Sequence, residues 1–521
     1  MRDGWILKCL ILLINKKGAV INILFVEANT SILYQKLAVD YSAIEPPTWS
    51  LLLAESCRTK GHKVGILDCN AERLTVEESV SKIEQFNAEI VCFVVYGQNP
   101  NSGTTNMAAA TILAKKYKEE FPISFIMFIG SHTSAMPREV LKNSFVDFVS
   151  INEGVFTLHD LLNTNKKDHL DKVRGLGYKK DDLLRYGAPA EIVPQHRLDF
   201  EMPGYAWDLL PFKNKPLDLY RSLFWSANYN HEIRTPFAAI YTSLGCSFQC
   251  SFCMINIVNR TSYLENAHAG NSSGMRHWGI NTISKEIKKL SDYGVKNIRL
   301  SDEMFFLNKK YYEPILDNLT QYDGELNLWS YSRVDTINKK LLKKIKRAGF
   351  NWIGMGIESG NQTVRQEVSK GSFKVIDIND VLDEVRSEGI SIGANFIFGF
   401  PDDNYETVNE TLDLAKKINA EFSNVYPCMA LPGSPIHKEA IDKGWDLPSE
   451  YSEYGFLSYE CKPLPTKYMT NKEVIKFRDE AWLELNTDKK FLGMIESKFG
   501  SEAKNNIINQ SKINLNRRIL E

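Results

Sequence analysis

A chain of 521 residues is too long for one ordinary hydrophobic core and should divide into several domains. Its 43% hydrophobic and 24% charged residues are those of a globular protein in water, and 63 basic residues nearly cancel 64 acidic ones. That balance argues against a nucleic-acid partner, and the short run Lys343, Lys344, Lys346 and Arg347 reads as one solvated helix face.

The opening stretch WILKCLILLI (5–14) is apolar but about half the length that a membrane span needs, roughly twenty residues, and Lys8 interrupts it. No small-residue cleavage pattern follows before Lys16 and Lys17, so the expectation is a misassigned start or a peripheral element rather than a span or a secretory leader. Nine cysteines is an odd number, and three of them crowd into 246–253; this points to metal binding in a reducing cytoplasm, not to a disulfide framework.

From Ile21 short β-branched runs alternate with helical patterns: INILFV (21–26), KVGIL (63–67), IVCFVVY (90–96), SFIMFIG (124–130) and DFVSI (147–151). Alternation of this kind predicts an α/β unit, a doubly wound, flavodoxin-like parallel sheet over 20–163, with its ligand crevice at the carboxyl ends of the strands. Residues 164–235 lack a sustained period and carry Pro189, Pro194, Pro203, Pro211 and Pro216, as a packed connector would. The alternation resumes in 236–435 with AAIYTS (238–243), NIRLSD (297–302), LNLWSYS (326–332), WIGMGIE (352–358), IGANFIF (392–398) and FSNVYP (422–427), which predicts a partial (β/α)6 barrel. Helical spacing in between, such as Ile283, Ile287 and Leu290, ends at glycines such as Gly349 and Gly389. The remaining 436–521 reads as a small helical extension, docked through Ile507, Ile508, Ile513 and Leu515.

The loop SLGCSFQCSFC (243–253) sets Cys246, Cys250 and Cys253 at C-x3-C-x2-C spacing just after the first barrel strand. A four-iron cluster held by three thiolates keeps one iron open to a small ligand. Zinc, a Cys250–Cys253 disulfide and plain buried cysteines are the competing readings of the same thiols. The loop resembles the motif of radical S-adenosylmethionine (SAM) enzymes, which implies a [4Fe-4S] cluster that cleaves SAM reductively.

The resemblance also implies SAM contacts. Phe252 matches an aromatic position near the adenine; Asp302 and Glu303 lie where relatives hold the amino group; Arg333, beside Asp335, matches a carboxylate or ribose contact. Glu358 and Ser359 of GIESG (356–360) approach the methionine or ribose. A turn-ordering role for Asp302–Glu303 and a plain Arg333–Asp335 salt bridge remain open.

Ahead of the barrel, GHKVGILD (61–68), GSHTSAMPREVL (130–141) and VDFVSINEG (146–154) resemble the cobalamin-binding domain that precedes the barrel in many radical SAM enzymes. Cobalamin contacts are then implied at Gly97, Asn99, Ser102, Gly103, Thr104, Gly130, Ser131, His132 and Glu153, although an ordinary βα loop has the same composition. There is no D-x-H-x-x-G loop, the pattern that gives cobalt a histidine in other cobalamin proteins. The family resemblance implies methyl transfer from SAM, by way of cobalamin, to an unactivated carbon of a small molecule, with electrons from a flavodoxin or ferredoxin. Cobalamin-dependent cyclisation, rearrangement or oxidation is the alternative within the family, and a non-catalytic metal or cobalamin sensor is the alternative outside it.

Overall fold

The computed structural model describes residues 20–97, 100–163, 169–181, 183–260, 274–369 and 378–521. The apolar stretch 5–14 lies outside them, and among the described residues no helix is long and apolar enough to cross a membrane.

The first sheet contains β1 (Asn22–Glu27), β2 (Lys63–Asp68), β3 (Ile90–Val94), β4 (Phe125–Ile129) and β5 (Phe148–Ser150), all parallel, in the order β2-β1-β3-β4-β5. Strands β3 (IVCFV) and β4 (FIMFI) are buried throughout, because helices cover both faces and no position can afford a polar side chain. The flanking helices differ accordingly. Val76–Phe86 starts in a capping box between Thr75 and Glu78 and buries only Ser79, Val80 and Ile83, one stripe of a surface helix. Thr48–Thr59 buries residues all round, Leu51, Leu52 and Leu53 among them, since it lies between the first sheet and the barrel; the Thr48 hydroxyl donates to the Ala239 carbonyl at 3.5 Å.

The segment expected to be a connector contributes more than a linker. A hairpin of β6 (Leu176–Lys180) and β7 (Leu183–Tyr186) extends the first sheet antiparallel beyond β5. Farther on, Trp225 plugs the barrel, 5.1 Å from Trp329, 4.9 Å from Trp352 and stacked on Phe422 at 5.1 Å.

The barrel is an open sheet of six parallel strands: β8 (Phe237–Ile240), β11 (Asn297–Leu300), β12 (Asn327–Arg333), β13 (Phe350–Glu358), β14 (Ser391–Phe398) and β15 (Phe422–Pro427). A two-residue ribbon, β9 (Ser243–Leu244) with β10 (Arg276–His277), stands between the first two. Ile283, Ile287 and Leu290 face the core as their spacing predicts, and the helices before β13 and β14 stop at Gly349 and Gly389, both at positive φ. At the carboxyl end, Ile507 is buried, whereas Ile508, Ile513 and Leu515 are half-buried.

Buried ion pairs hold the two α/β units together. Glu45 places both oxygens 2.7 Å from one guanidinium nitrogen of Arg299, and Glu153 pairs with Arg276. The Asn152 carboxamide clasps the Arg260 backbone, accepting from its N–H and donating to its carbonyl, each at 2.8 Å.

Candidate active site at the cysteine loop

The loop leaves β8 through Thr242 and turns at Gly245, whose φ of 87° suits a residue without a β-carbon. It is fastened on every side. Asp302, fully buried at the end of β11, accepts from the backbone N–H of Thr242 (2.6 Å) and of Ser243 (2.9 Å) and from the Thr242 hydroxyl. Arg333, at the end of β12, lies 4.0 Å over the Phe248 ring while Asp335 grips it with two bonds of 2.9 Å. Ser251 donates its N–H to the Val368 carbonyl (2.8 Å), and the Ile436 N–H donates to the Ser251 carbonyl (2.9 Å). The fifth tie comes from the first domain: Asn101 accepts from the Met254 N–H at 2.9 Å and donates to the Cys253 sulfur at 3.5 Å.

Cys246 is buried, Cys250 and Cys253 are half-buried, and none of the three forms a disulfide. Burial pushes Cys246 up to about 11, Cys250 up to about 12, and Cys253 upward as well. Such thiols stay protonated until a cation arrives to take the charge, so loading the site releases protons. Among the described residues no three His, Cys, Asp or Glu side chains converge on one point, and a four-iron cluster takes one thiolate at each of three irons.

Two carboxylates stand beside the loop. Burial, against the opposing pull of Arg299 and with the push of Asp302, raises Glu303 to about 7, and its Oε1 is buried without a hydrogen-bond partner among the described residues. Glu358 is raised to about 7 by burial, with Arg333 opposing. It ends β13 at a φ of 67°, a left-handed conformation that costs a non-glycine residue about 1–2 kcal/mol, and the register shifts there. Phe252 packs against Phe400, just after β14, with ring centres 5.7 Å apart.

Three expected ligand contacts are engaged elsewhere. The Asp302 carboxylate holds the loop backbone. Ser359 is fully buried, 3.3 Å from the Thr411 hydroxyl and accepting from the Asn361 N–H. Glu153 gives Oε1 to Arg276 at 2.7 Å, and Oε2 to Arg276 and to the Val193 N–H at 3.1 and 2.8 Å. In each case an acceptor at a strand end meets a backbone or a cation of the protein itself.

In the first domain, Gly97, Gly103, Gly130, Ser131 and Thr104 come together where the loops after β3 and β4 meet, while Asn99 lies outside the described residues. A β-carbon on Gly103 would stand 2.0 Å from the Ser131 hydroxyl, and one on Gly130 would stand 2.4 Å from the Val95 carbonyl, so packing of the chain on itself already demands both glycines. His132 faces the Thr104 hydroxyl through Nδ1 at 3.0 Å and meets Tyr451 edge-on at 5.1 Å. The Ser102 carbonyl accepts from Thr105.

Residues 240–415 match the Radical SAM superfamily and residues 35–162 the B12 binding domain. The chain is a radical SAM enzyme with a B12-binding domain in front. Its cofactors are a [4Fe-4S] cluster, SAM and cobalamin. The chain is 27% identical to an uncharacterized methyltransferase of Pyrococcus horikoshii over 444 residues, 84% of this chain and 87% of that one. It is 23% identical to the anaerobic magnesium-protoporphyrin IX monomethyl ester cyclase of Cereibacter sphaeroides, covering 87% and 68%, and 24% identical to the hopanoid C-3 methylase of Methylococcus capsulatus, covering 72% and 66%. The fold is that of the radical SAM methyltransferase TsrM from Kitasatospora setae, with a TM-score of 0.65 at 13% identity over 94% of this chain and 100% of that chain. The radical enzyme OxsB superposes with a TM-score of 0.62 at 13% identity, covering 95% and 78%.

The residues present fit these groups. Three thiols outside any disulfide on one tethered loop suit a cluster with an open iron, and the buried Oε1 of Glu303, with no hydrogen-bond partner among the described residues, suits a cationic ligand beside it. Asn101, Thr242, Arg276 and Arg299 escaped sequence reasoning. Asn101 lies in the loop read for cobalamin contacts, but its partners are more than 150 residues away and leave no local pattern.

Proposed function

We propose that this enzyme methylates an unactivated carbon of a small molecule in a reducing compartment, drawing electrons from a flavodoxin- or ferredoxin-type donor. Residues 20–163 hold cobalamin, 236–435 hold the cluster and SAM, and 164–235 with 436–521 shape the substrate space. Cys246, Cys250 and Cys253 ligate the cluster. Glu303 and Glu358 receive the cationic end of SAM, Arg333 its carboxylate, and Phe252 lies on the adenine side. Gly97, Ser102, Gly103, Thr104, Gly130, Ser131 and His132 border cobalamin. Bound, the cluster and SAM supply a carbon radical that removes a substrate hydrogen, and cobalamin supplies the methyl group. The chain's own part is to hold the two cofactor sites against each other, to orient SAM and to keep water out.

One observation carries this reading: Asn101, from the carboxyl end of the first sheet, touches Cys253 directly, so the radical source and the cobalamin crevice adjoin. The methyltransferase relatives support it. The matching cyclase of Cereibacter sphaeroides favours a second reading, cyclisation or oxidation without methyl transfer. Anaerobic incubation with cobalamin, reductant and SAM labelled in its methyl group separates the two. S-adenosylhomocysteine formed beside 5′-deoxyadenosine supports methylation, and 5′-deoxyadenosine alone supports the second reading.

A further inference from the structure

Asn101 is the point at which the first domain touches a cysteine sulfur, and the orientation of its carboxamide is determined. The Met254 N–H can only donate, so the atom facing it at 2.9 Å is the Asn101 carbonyl oxygen; the amino group therefore faces Cys253, where it lies 3.5 Å from the sulfur. The two bonds straddle the third cysteine and the residue after it. The helix Gly103–Glu120 begins just beyond, and its first residue is locked against Ser131 and the Val95 carbonyl. The carboxamide is thus anchored from behind by the sheet of the B12-binding domain.

We infer that Asn101 is a positioning residue for the iron–sulfur centre: it fixes the third ligand and raises the reduction potential of the cluster. The inference rests on Cys253 being a cluster ligand, as proposed above. Once ligated, Cys253 is a thiolate, and the amide N–H bond to it becomes charge-assisted. Reduction adds an electron whose charge spreads onto the sulfurs, so the donor stabilises the reduced state more than the oxidised one; hydrogen bonds to sulfur are among the levers that set such potentials. In this enzyme that lever belongs to the cobalamin side of the molecule rather than to the barrel that carries the cysteines.

The test uses the full chain, reconstituted anaerobically and free of SAM, with iron and sulfide counted and the reduced cluster titrated by EPR. Asn101→Ala removes both bonds. Asn101→Asp keeps an acceptor for the Met254 N–H and puts a carboxylate oxygen in place of the donor. Both variants are expected to hold a full cluster with a lower midpoint, the Ala variant by up to about tenfold in the reduction equilibrium (~59 mV for one electron) and the Asp variant by more. The inference is overturned if either variant carries a full cluster at the wild-type midpoint, or if both lose the cluster while their circular dichroism stays native. If both variants misfold, pulsed EPR on the wild-type protein with 15N in its asparagine side chains decides: a nitrogen coupling to the reduced cluster supports the bond, and its absence overturns it. A wild-type chain that assembles no cluster at all contradicts the cysteine assignment instead, which keeps the two failures distinct.

Discussion

Glu153 and Arg276 join the end of the first sheet to the ribbon that leads into the cysteine loop, with carboxylate-to-guanidinium distances of 2.7 and 3.1 Å and both side chains buried. Breaking such a pair leaves a charge stranded in the interior, a loss of about 3–5 kcal/mol. Arg276→Met should lower the urea midpoint accordingly, and adding Glu153→Gln should recover much of that loss. If the double variant is as unstable as the sum of the two single ones, the pair is not coupled.

Asp302 and Glu303 are neighbours with opposite duties. Asp302→Ala releases the Thr242 and Ser243 amides, so iron content per chain should fall while SAM affinity at the loaded fraction changes little. Glu303→Gln should leave iron content unchanged and weaken SAM binding about 10- to 100-fold, the loss of one charge-assisted contact. Calorimetry and iron analysis on both variants distinguish the roles, and the reverse pattern would refute them.

Trp225 reaches the barrel from the connector and fills its lower end among Trp329, Trp352 and Phe422. Trp225→Ala should cost about 3–5 kcal/mol in denaturant unfolding, while Trp225→Phe should recover part of it. A loss below 1 kcal/mol would mean that the connector does not hold the barrel.

Asp68, buried at the end of β2, accepts from Asn70, Ala71 and the Tyr220 hydroxyl, yet burial pushes it up to about 6, and Glu72 adds to that push. Glu27 next to it is raised as well, by burial and by Asp68. The folded state binds the Asp68 proton more tightly than the unfolded chain, whose Asp titrates near 3.9. That stabilisation is fully present below about pH 4 and is lost as pH rises through about 6. The margin of Asp68→Asn over wild type in urea should therefore widen between pH 4.5 and pH 8, by on the order of 2 kcal/mol. An equal margin at both pH values would contradict the burial argument.

The strands and the cysteine loop were legible because their causes are local. Unbroken apolar runs such as FIMFI mark a strand covered on both faces, glycines such as Gly349 and Gly389 end helices, and three thiols share one loop. The hairpin β6–β7 was not legible, since LGYKK and LLRY are half polar and their turn runs through Asp181, a non-glycine residue at a φ of 54°. Nor did Asp302, Ser359 and Glu153 reveal their partners. An acid or hydroxyl at a strand end looks the same whether it meets a ligand or a neighbouring backbone, and Arg276 lies 123 residues from Glu153. Asn101 belongs to the same class, because only the folded arrangement of the two domains brings it to Cys253.

The cysteine assignment is tested most directly by Cys250→Ala, reconstituted anaerobically beside wild type with iron, sulfide, cobalamin, SAM and reductant. Wild type is expected to carry a complete four-iron cluster and to release 5′-deoxyadenosine, and the variant to do neither; a variant that keeps the full cluster and cleaves SAM at the wild-type rate would contradict the account.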